Sequence, residues 1–159
     1  MMKLYHGSYV EIERIDLEKS RPFKDFGKAF YLSSVEQQAW ERAYAAISMW
    51  GGAPCVTTYE FDERLMSSGE LKVLTFDGYT EEWADFIFKN RERKKPAYYH
   101  DYDIVYGPIA NDTVGEQVAL FKGHYISKDR FLEKLKHLRG ITFQYAFCTE
   151  AAIIKLKKL

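Results

Sequence analysis

The clearest rhythm along the chain lies at residues 56–61, where Val56, Thr58 and Glu60 alternate with Thr57, Tyr59 and Phe61. A period of two sends successive side chains to opposite faces, so this stretch predicts a strand. Short apolar and aromatic runs at 2–6, 29–32, 71–76, 103–106 and 141–148 predict further strands. Helical signals fall between them. Ser33 or Ser34, with Gln37 in the capping-box position after Ser34, opens a helix that runs to about Met49 and stops at Gly51-Gly52. Thr80 caps a second helix, from Glu81 to about Arg93, with Trp83, Phe86 and Ile87 on one face. That helix begins acidic and ends basic, which suits its dipole. Residues 113–121 and 127–138 predict two more helices, with Ser127 capping the second. Residues 9–20 read as an irregular segment, and 150–158 as either a final helix or a strand. Strands and helices are interspersed without regular alternation, so the pattern favours an α+β fold over a doubly wound sheet.

Composition narrows the class. A chain of 159 residues with 47% apolar content suits a single globular domain spanning 1–159. The 16% aromatic share favours strands and an aromatic-walled pocket. Lys plus Arg equal Asp plus Glu at 23 each, which argues against a protein that wraps nucleic acid and leaves room only for a local basic patch. Cys55 and Cys148 lie far apart without metal-ligand spacing, and are expected as buried free thiols in a reducing compartment. No apolar run approaches a membrane span, and residues 1–6 enter a candidate strand directly. The expectation is therefore a cytoplasmic protein with no signal peptide and no membrane partner. His6, His100, His124 and His137 show no zinc-type spacing, so no metal site is expected. Glycine-rich dinucleotide, phosphate-loop and nucleophile-elbow motifs are absent from the sequence.

Two strings carry candidate chemistry. Leu4-Tyr5-His6-Gly7-Ser8 is an apolar-aromatic step ending in a histidine and a glycine. Asp25-Phe26-Gly27-Lys28-Ala29-Phe30-Tyr31-Leu32-Ser33 is a glycine turn running into an aromatic strand. Together they resemble the NAD-binding signature of ADP-ribosyltransferases of the His-Tyr-x class. The match is closest to a small bacterial ADP-ribosyltransferase-like family of unknown function, the DUF3990 type. The resemblance implies two small antiparallel sheets packed with helices around an NAD cleft, with NAD as co-substrate. It implies that His6 bonds a ribose hydroxyl, that Gly7 and Ser8 line the nicotinamide site, and that the Tyr31 ring stacks on the nicotinamide. Ala29 stands where a second glycine is common in the family. Asp25 and Lys28 read as solvated turn charges.

The third element that the resemblance implies is a glutamate on a late strand. Here Gln144 occupies that place, within Ile141-Thr142-Phe143-Gln144-Tyr145. A glutamine keeps the hydrogen bond to a ribose hydroxyl but supplies no charge. Chain-extending transfer is then disfavoured, and the expectation is mono-ADP-ribosyl transfer to a macromolecular acceptor, protein or nucleic acid. The alternative is a catalytically weak or inactive NAD- or ADP-ribose-binding module. Glu150 is the nearest carboxylate that could substitute. Trp40 and Tyr44 are candidates for a second stacking wall, against a core-facing stripe at the same helical spacing. Asp103, Asn111 and Asp112, around Gly107-Pro108, fit either the acceptor side of the site or helix capping. The basic run 91–95 fits a solvated helix end or a contact with an anionic target. Family resemblance further implies a toxin or effector role, with a neutralising antitoxin as partner.

Overall fold

A computed structural model describes residues 1–138 and 140–159, with Asp112 described by its backbone alone. The architecture is α+β, with two small sheets and helices. Strands β1 (Met2–Ser8), β3 (Cys55–Phe61) and β7 (Lys157–Lys158) form one sheet, with β3 in the centre and both pairings antiparallel. Strands β2 (Phe30–Leu32), β6 (Phe143–Phe147), β5 (Ile104–Pro108) and β4 (Val73–Thr75) form the other, in the order β2-β6-β5-β4. In β3 the alternation reads as expected, with Thr57, Tyr59 and Phe61 buried and the intervening residues half-buried.

The second sheet is mixed rather than antiparallel, because β4 runs parallel to β5. Parallel neighbours need a crossover, and here helix α2 (Glu81–Arg91) lies in the connection. The second sheet also separates two apolar layers. Val105 and Ala146 face a core built with Trp83, Ile87, Val114, Val118, Phe131 and Leu135 from α2, α3 (Asp112–Lys122) and α4 (Lys128–Lys136). Their chain neighbours Ile104 and Phe147 face a second core with Leu4, Tyr59 and Phe61 of the first sheet. Strand alternation alone thus distributes the side chains between the layers.

Helix ends show which local signals act. Thr80 Oγ1 accepts from Trp83 N–H at 3.1 Å and Ser127 Oγ from Arg130 N–H at 3.2 Å, so both expected caps form. The first helix departs from expectation. Helix α1 (Glu36–Trp50) starts behind Val35, which offers no side-chain cap. Ser33 Oγ instead accepts from Val35 N–H at 3.0 Å and bonds the Gln38 side chain at 2.6 Å, holding the turn before the helix. Gly51, at φ 74°, closes α1 as its position predicts. Residues 150–158 hold both a short helix, α5 (Glu150–Ile153), and β7. Cys55 and Cys148 are free thiols, half-buried rather than fully so. No helix among the described residues is long and apolar enough to cross a membrane.

Trp83 locks α2 onto the second sheet. Its indole is fully buried and its Nε1–H donates to Pro108 O at 3.0 Å. Trp83→Phe leaves that buried carbonyl without its donor, and should lower the unfolding free energy by about 1–3 kcal/mol. Urea denaturation of the two proteins measures the difference.

Candidate functional site

Among the described residues, one backbone pair bridges the two sheets. Tyr5 and Ser33 exchange both main-chain bonds, at 2.8 and 2.9 Å. In that register the next pair is Gly7 and Tyr31, but the strands have parted there. Tyr31 O accepts instead from His6 Nδ1, at 2.7 Å. Backbone groups alternate in direction along a strand, so Gly7 turns its N–H and C=O toward the same gap that Tyr5 spans. The His6 ring stacks on Phe30, with centroids 4.1 Å apart.

A carbonyl can only accept, so Nδ1 carries the imidazole proton and Nε2 keeps a free lone pair. Burial drives the His6 pKa from 6.5 down to about 4, and the nearby Lys24 and Arg42 charges push the same way. The bond to Tyr31 O opposes this shift without overcoming it. His6 is therefore a neutral acceptor at physiological pH.

Gly7 also packs against α1, beside the close approach of a ligand that the resemblance implies there. A Cβ at this position would lie 1.8 Å from Ala39 O and 2.9 Å from Ala43 N, so α1 sits directly on the strand. Ala39 and Ala43, one turn apart and both buried, are the other half of this contact. The close approach expected at Gly7 is thus made by a helix on one face, while its backbone edge remains directed into the gap.

The Gly27 turn holds Tyr31. The Tyr31 hydroxyl donates to Gly27 O at 2.6 Å and accepts from Phe26 N–H at 3.1 Å. Burial raises its pKa well above the usual phenol value, so it stays protonated. Lys24 Nζ lies 5.1 Å from the ring centre, over one face of the ring. His100 Nε2–H donates to Phe26 O at 2.8 Å, and its Nδ1 accepts from Tyr102 N–H at 3.2 Å.

Asp25 is not the solvated charge expected. Its carboxylate is largely buried, bonds Arg91 Nε at 2.6 Å, and accepts from Ala110 N–H at 3.2 Å. One side chain therefore ties the glycine turn to the end of α2 and to the Gly107-Pro108 segment. Lys28 does behave as a surface charge, 3.3 Å from Glu18.

The remaining candidates separate. Gln144 lies opposite Gly107, one step beyond the Tyr145–Leu32 pair, which sets it beside Ser33 at the end of β2. Ser8 is buried at the far end of β1, paired with Cys55. In α1, the flank that bonds Ser33 carries Gln38 and, one turn on, Arg42. Trp40 and Tyr44 lie roughly 160° around the helix from these at about 100° per residue. They pair with each other at 6.4 Å, and Tyr44 is 57% exposed. Asp103 accepts from Thr149 Oγ1 at 2.6 Å and Lys72 N–H at 2.8 Å, which pins the ends of β4, β5 and β6 together. Asn111 caps α3 through Val114 N–H at 3.0 Å. Asp112 begins that helix, and its side chain lies outside the described residues. Glu150 is exposed in the first turn of α5. A surface hollow of about 280 Å³ lies elsewhere, among Ile15, Tyr59, Ile153 and Leu156.

A family model described as a protein of unknown function, DUF3990, matches residues 2–158. The chain belongs to this family. No curated protein and no solved structure matches it. In this DUF3990 chain the matched span covers both sheets and every group at the gap between them.

Two outcomes test the geometry of the gap. Gly7→Ala drives a methyl into the backbone of α1 and should cost at least about 2 kcal/mol of stability, read by urea denaturation. The His6 pKa is lower folded than unfolded, so the unfolded chain binds the proton first as pH falls. The associated stability is intact above pH 6.5 and is lost as pH falls toward 4. Wild-type protein should lose about 2 kcal/mol more than His6→Gln between pH 7 and pH 4.5, by denaturation at each pH.

Proposed function

We propose that the chain is an NAD-dependent mono-ADP-ribosyltransferase with a macromolecular acceptor, built on an ADP-ribosyltransferase-like fold. The observation that carries this reading is the convergence of His6, Gly7 and Tyr31 beside the Tyr5–Ser33 bridge, where β1 and β2 part. His6 and Tyr31, one from each of the two strings that resemble the family signature, are 25 residues apart along the chain. Folding nevertheless delivers them to one gap.

The groups suit the chemistry. A carboxamide carries one acceptor and two donors, and the N–H and C=O of Gly7 are its complement. The neutral His6 Nε2 accepts a hydrogen bond from a ribose hydroxyl without placing a second positive charge beside the cationic nicotinamide ring. In the reaction the bond from the ribose anomeric carbon to the nicotinamide nitrogen breaks. Its electron pair leaves with nicotinamide, and an acceptor oxygen or nitrogen bonds the oxocarbenium carbon and gives up its proton. Positioning and electrostatics carry such a step. Gln144 contributes a hydrogen bond without charge, which suits slow transfer of a single unit. The same missing charge favours the second reading, a module that binds NAD or ADP-ribose without cleaving it.

Nicotinamide release from labelled NAD, with and without cell lysate, decides between them. Release is expected, with label passing to a lysate component. His6→Ala should lower the rate by about 100-fold or more, and Gln144→Glu should raise it about ten-fold. Binding of NAD without release establishes the binding module. Neither binding nor release sinks both readings.

A further inference from the structure

Between Phe86 and His100, five cations meet a single carboxylate, Glu92. The whole chain carries 23 charges of each sign, so this is a local excess rather than a general basicity. Cations at a helix end suit its dipole, and that accounts for Lys89 and Arg91 in the last turn of α2. It does not account for Arg93, Lys94 and Lys95, which follow the helix. Pairing within the chain absorbs only part of the charge. Arg91 is held by Asp25, and Lys94 Nζ lies 3.1 Å from Glu92. Lys89, Arg93 and Lys95 are exposed, and among the described residues they form no ion pair. Lys122 joins them from the end of α3, with Nζ 3.4 Å from Arg91 O.

Aromatic rings stand among these charges. Tyr98 and Tyr99 follow the basic run and are 38% and 80% exposed. Tyr98 is seated on the protein. Its ring meets buried Phe86 edge-on, with centroids 6.4 Å apart, and Lys89 Nζ lies 5.8 Å from its centre. Tyr99 leaves its ring in solvent. The patch also borders the candidate site. The Arg93 guanidinium lies 5.9 Å from the ring centre of Phe23. The next residue, Lys24, sets its ammonium over the Tyr31 ring, and His100 donates to Phe26 O. A ligand lying along residues 93–99 therefore runs beside the turn that holds Tyr31.

Unpaired cations interleaved with open aromatic rings complement a chain of spaced phosphates whose bases are free to stack. A duplex offers the phosphates but keeps its bases stacked inside. An acidic protein or an anionic membrane gives Tyr99 no base to stack on. We infer that this surface binds single-stranded nucleic acid, and that such a strand is the macromolecular acceptor. The acceptor assignment rests on the transferase reading, whereas the binding surface does not. In the transfer, a nitrogen or oxygen of the strand bonds the ribose anomeric carbon and gives up its proton. Nicotinamide leaves with the electron pair of the broken bond.

Fluorescence anisotropy of the full chain tests the surface, with labelled RNA and DNA strands of about 12 nucleotides and the duplex of the same sequence. Single strands should bind more tightly than the duplex, and more weakly as salt rises. Arg93→Gln and Lys95→Gln should each weaken binding about five-fold near ~0.1 M salt, and each lower the slope against salt by about 0.7. Tyr99→Ala should weaken binding by about five-fold or more with the slope unchanged, and Tyr99→Phe should retain it. All these side chains are exposed, so unfolding temperatures should not move. No binding of either strand by the wild-type protein overturns the proposal. So does binding that the variants leave unchanged, which places it on another face. Equal affinity for strand and duplex, with Tyr99→Ala neutral, overturns the single-strand assignment. Binding to phosphatidylserine vesicles but not to strands overturns the choice of nucleic acid. With NAD present, label should pass to the bound strand. Label passing only to protein, while strands still bind, overturns the acceptor assignment and leaves the surface standing. If strands bind and NAD is not cleaved, the surface stands and the transferase reading falls.

Discussion

Tyr5 and Ser33 exchange both of their main-chain hydrogen bonds, and among the described residues this is the one backbone bridge between the two sheets. A longer ladder would merge the sheets and leave no gap. Without any bridge, β1 and β2 would have no fixed register. One paired step followed by separation gives both a hinge line and an opening. The ladder bond that Gly7 N–H would have made to Tyr31 O is made by the His6 ring instead. The imidazole thereby satisfies a carbonyl that separation would otherwise leave unpaired, which is why its tautomer is fixed.

The glycine turn before β2 depends on a partly buried charge pair. Asp25 draws together Arg91 from α2, Ala110 after β5 and the glycine turn before β2. His100 holds the same turn through Phe26 O, and Tyr31 closes it through Gly27 O. Breaking a buried pair from one side leaves an uncompensated charge, so these contacts act as a unit. Gly27 takes φ 83°, a conformation that favours glycine, and a Cβ there would lie 2.9 Å from Asn90 Oδ1. The Asp-Phe-Gly string is thus a scaffold first. What it positions is the backbone of Tyr31 and the ammonium of Lys24.

Local signals in the sequence were legible where one element decides the outcome. The period of two in β3, the caps at Thr80 and Ser127, and the stop at Gly51 each depend on a few neighbouring residues. Signals that need a distant partner were not. A three-residue strand such as β4 carries no information on its direction, which is set by β5 and the intervening crossover. Asp25 looked like a turn charge because its partner is 66 residues away. Ser33 has the chemistry of a cap, yet a tertiary demand at the sheet bridge placed it before the turn. Gly7 announced a close approach without naming the approaching body, and the small residues Ala39 and Ala43 at helical spacing were the missing half of that statement. The rotation of α1 follows from this contact. It carries Gln38 and Arg42 toward the gap and Trp40 and Tyr44 away from it.

The electrostatics and hydrogen bonding at the gap fix one protonation state on His6. Lys24 and Arg42 lower its pKa, but burial does so more strongly. Their charges act in the same direction as the larger cause, so neutrality does not depend on them. The bond from Nδ1 to Tyr31 O then leaves Nε2 as the acceptor. A surface histidine beside the same cations would keep much of its hydration when charged, and its pKa would lie nearer the ordinary value. The stacking of His6 on Phe30 is therefore part of the electrostatics as well as of the packing, because it keeps water from one face of the ring.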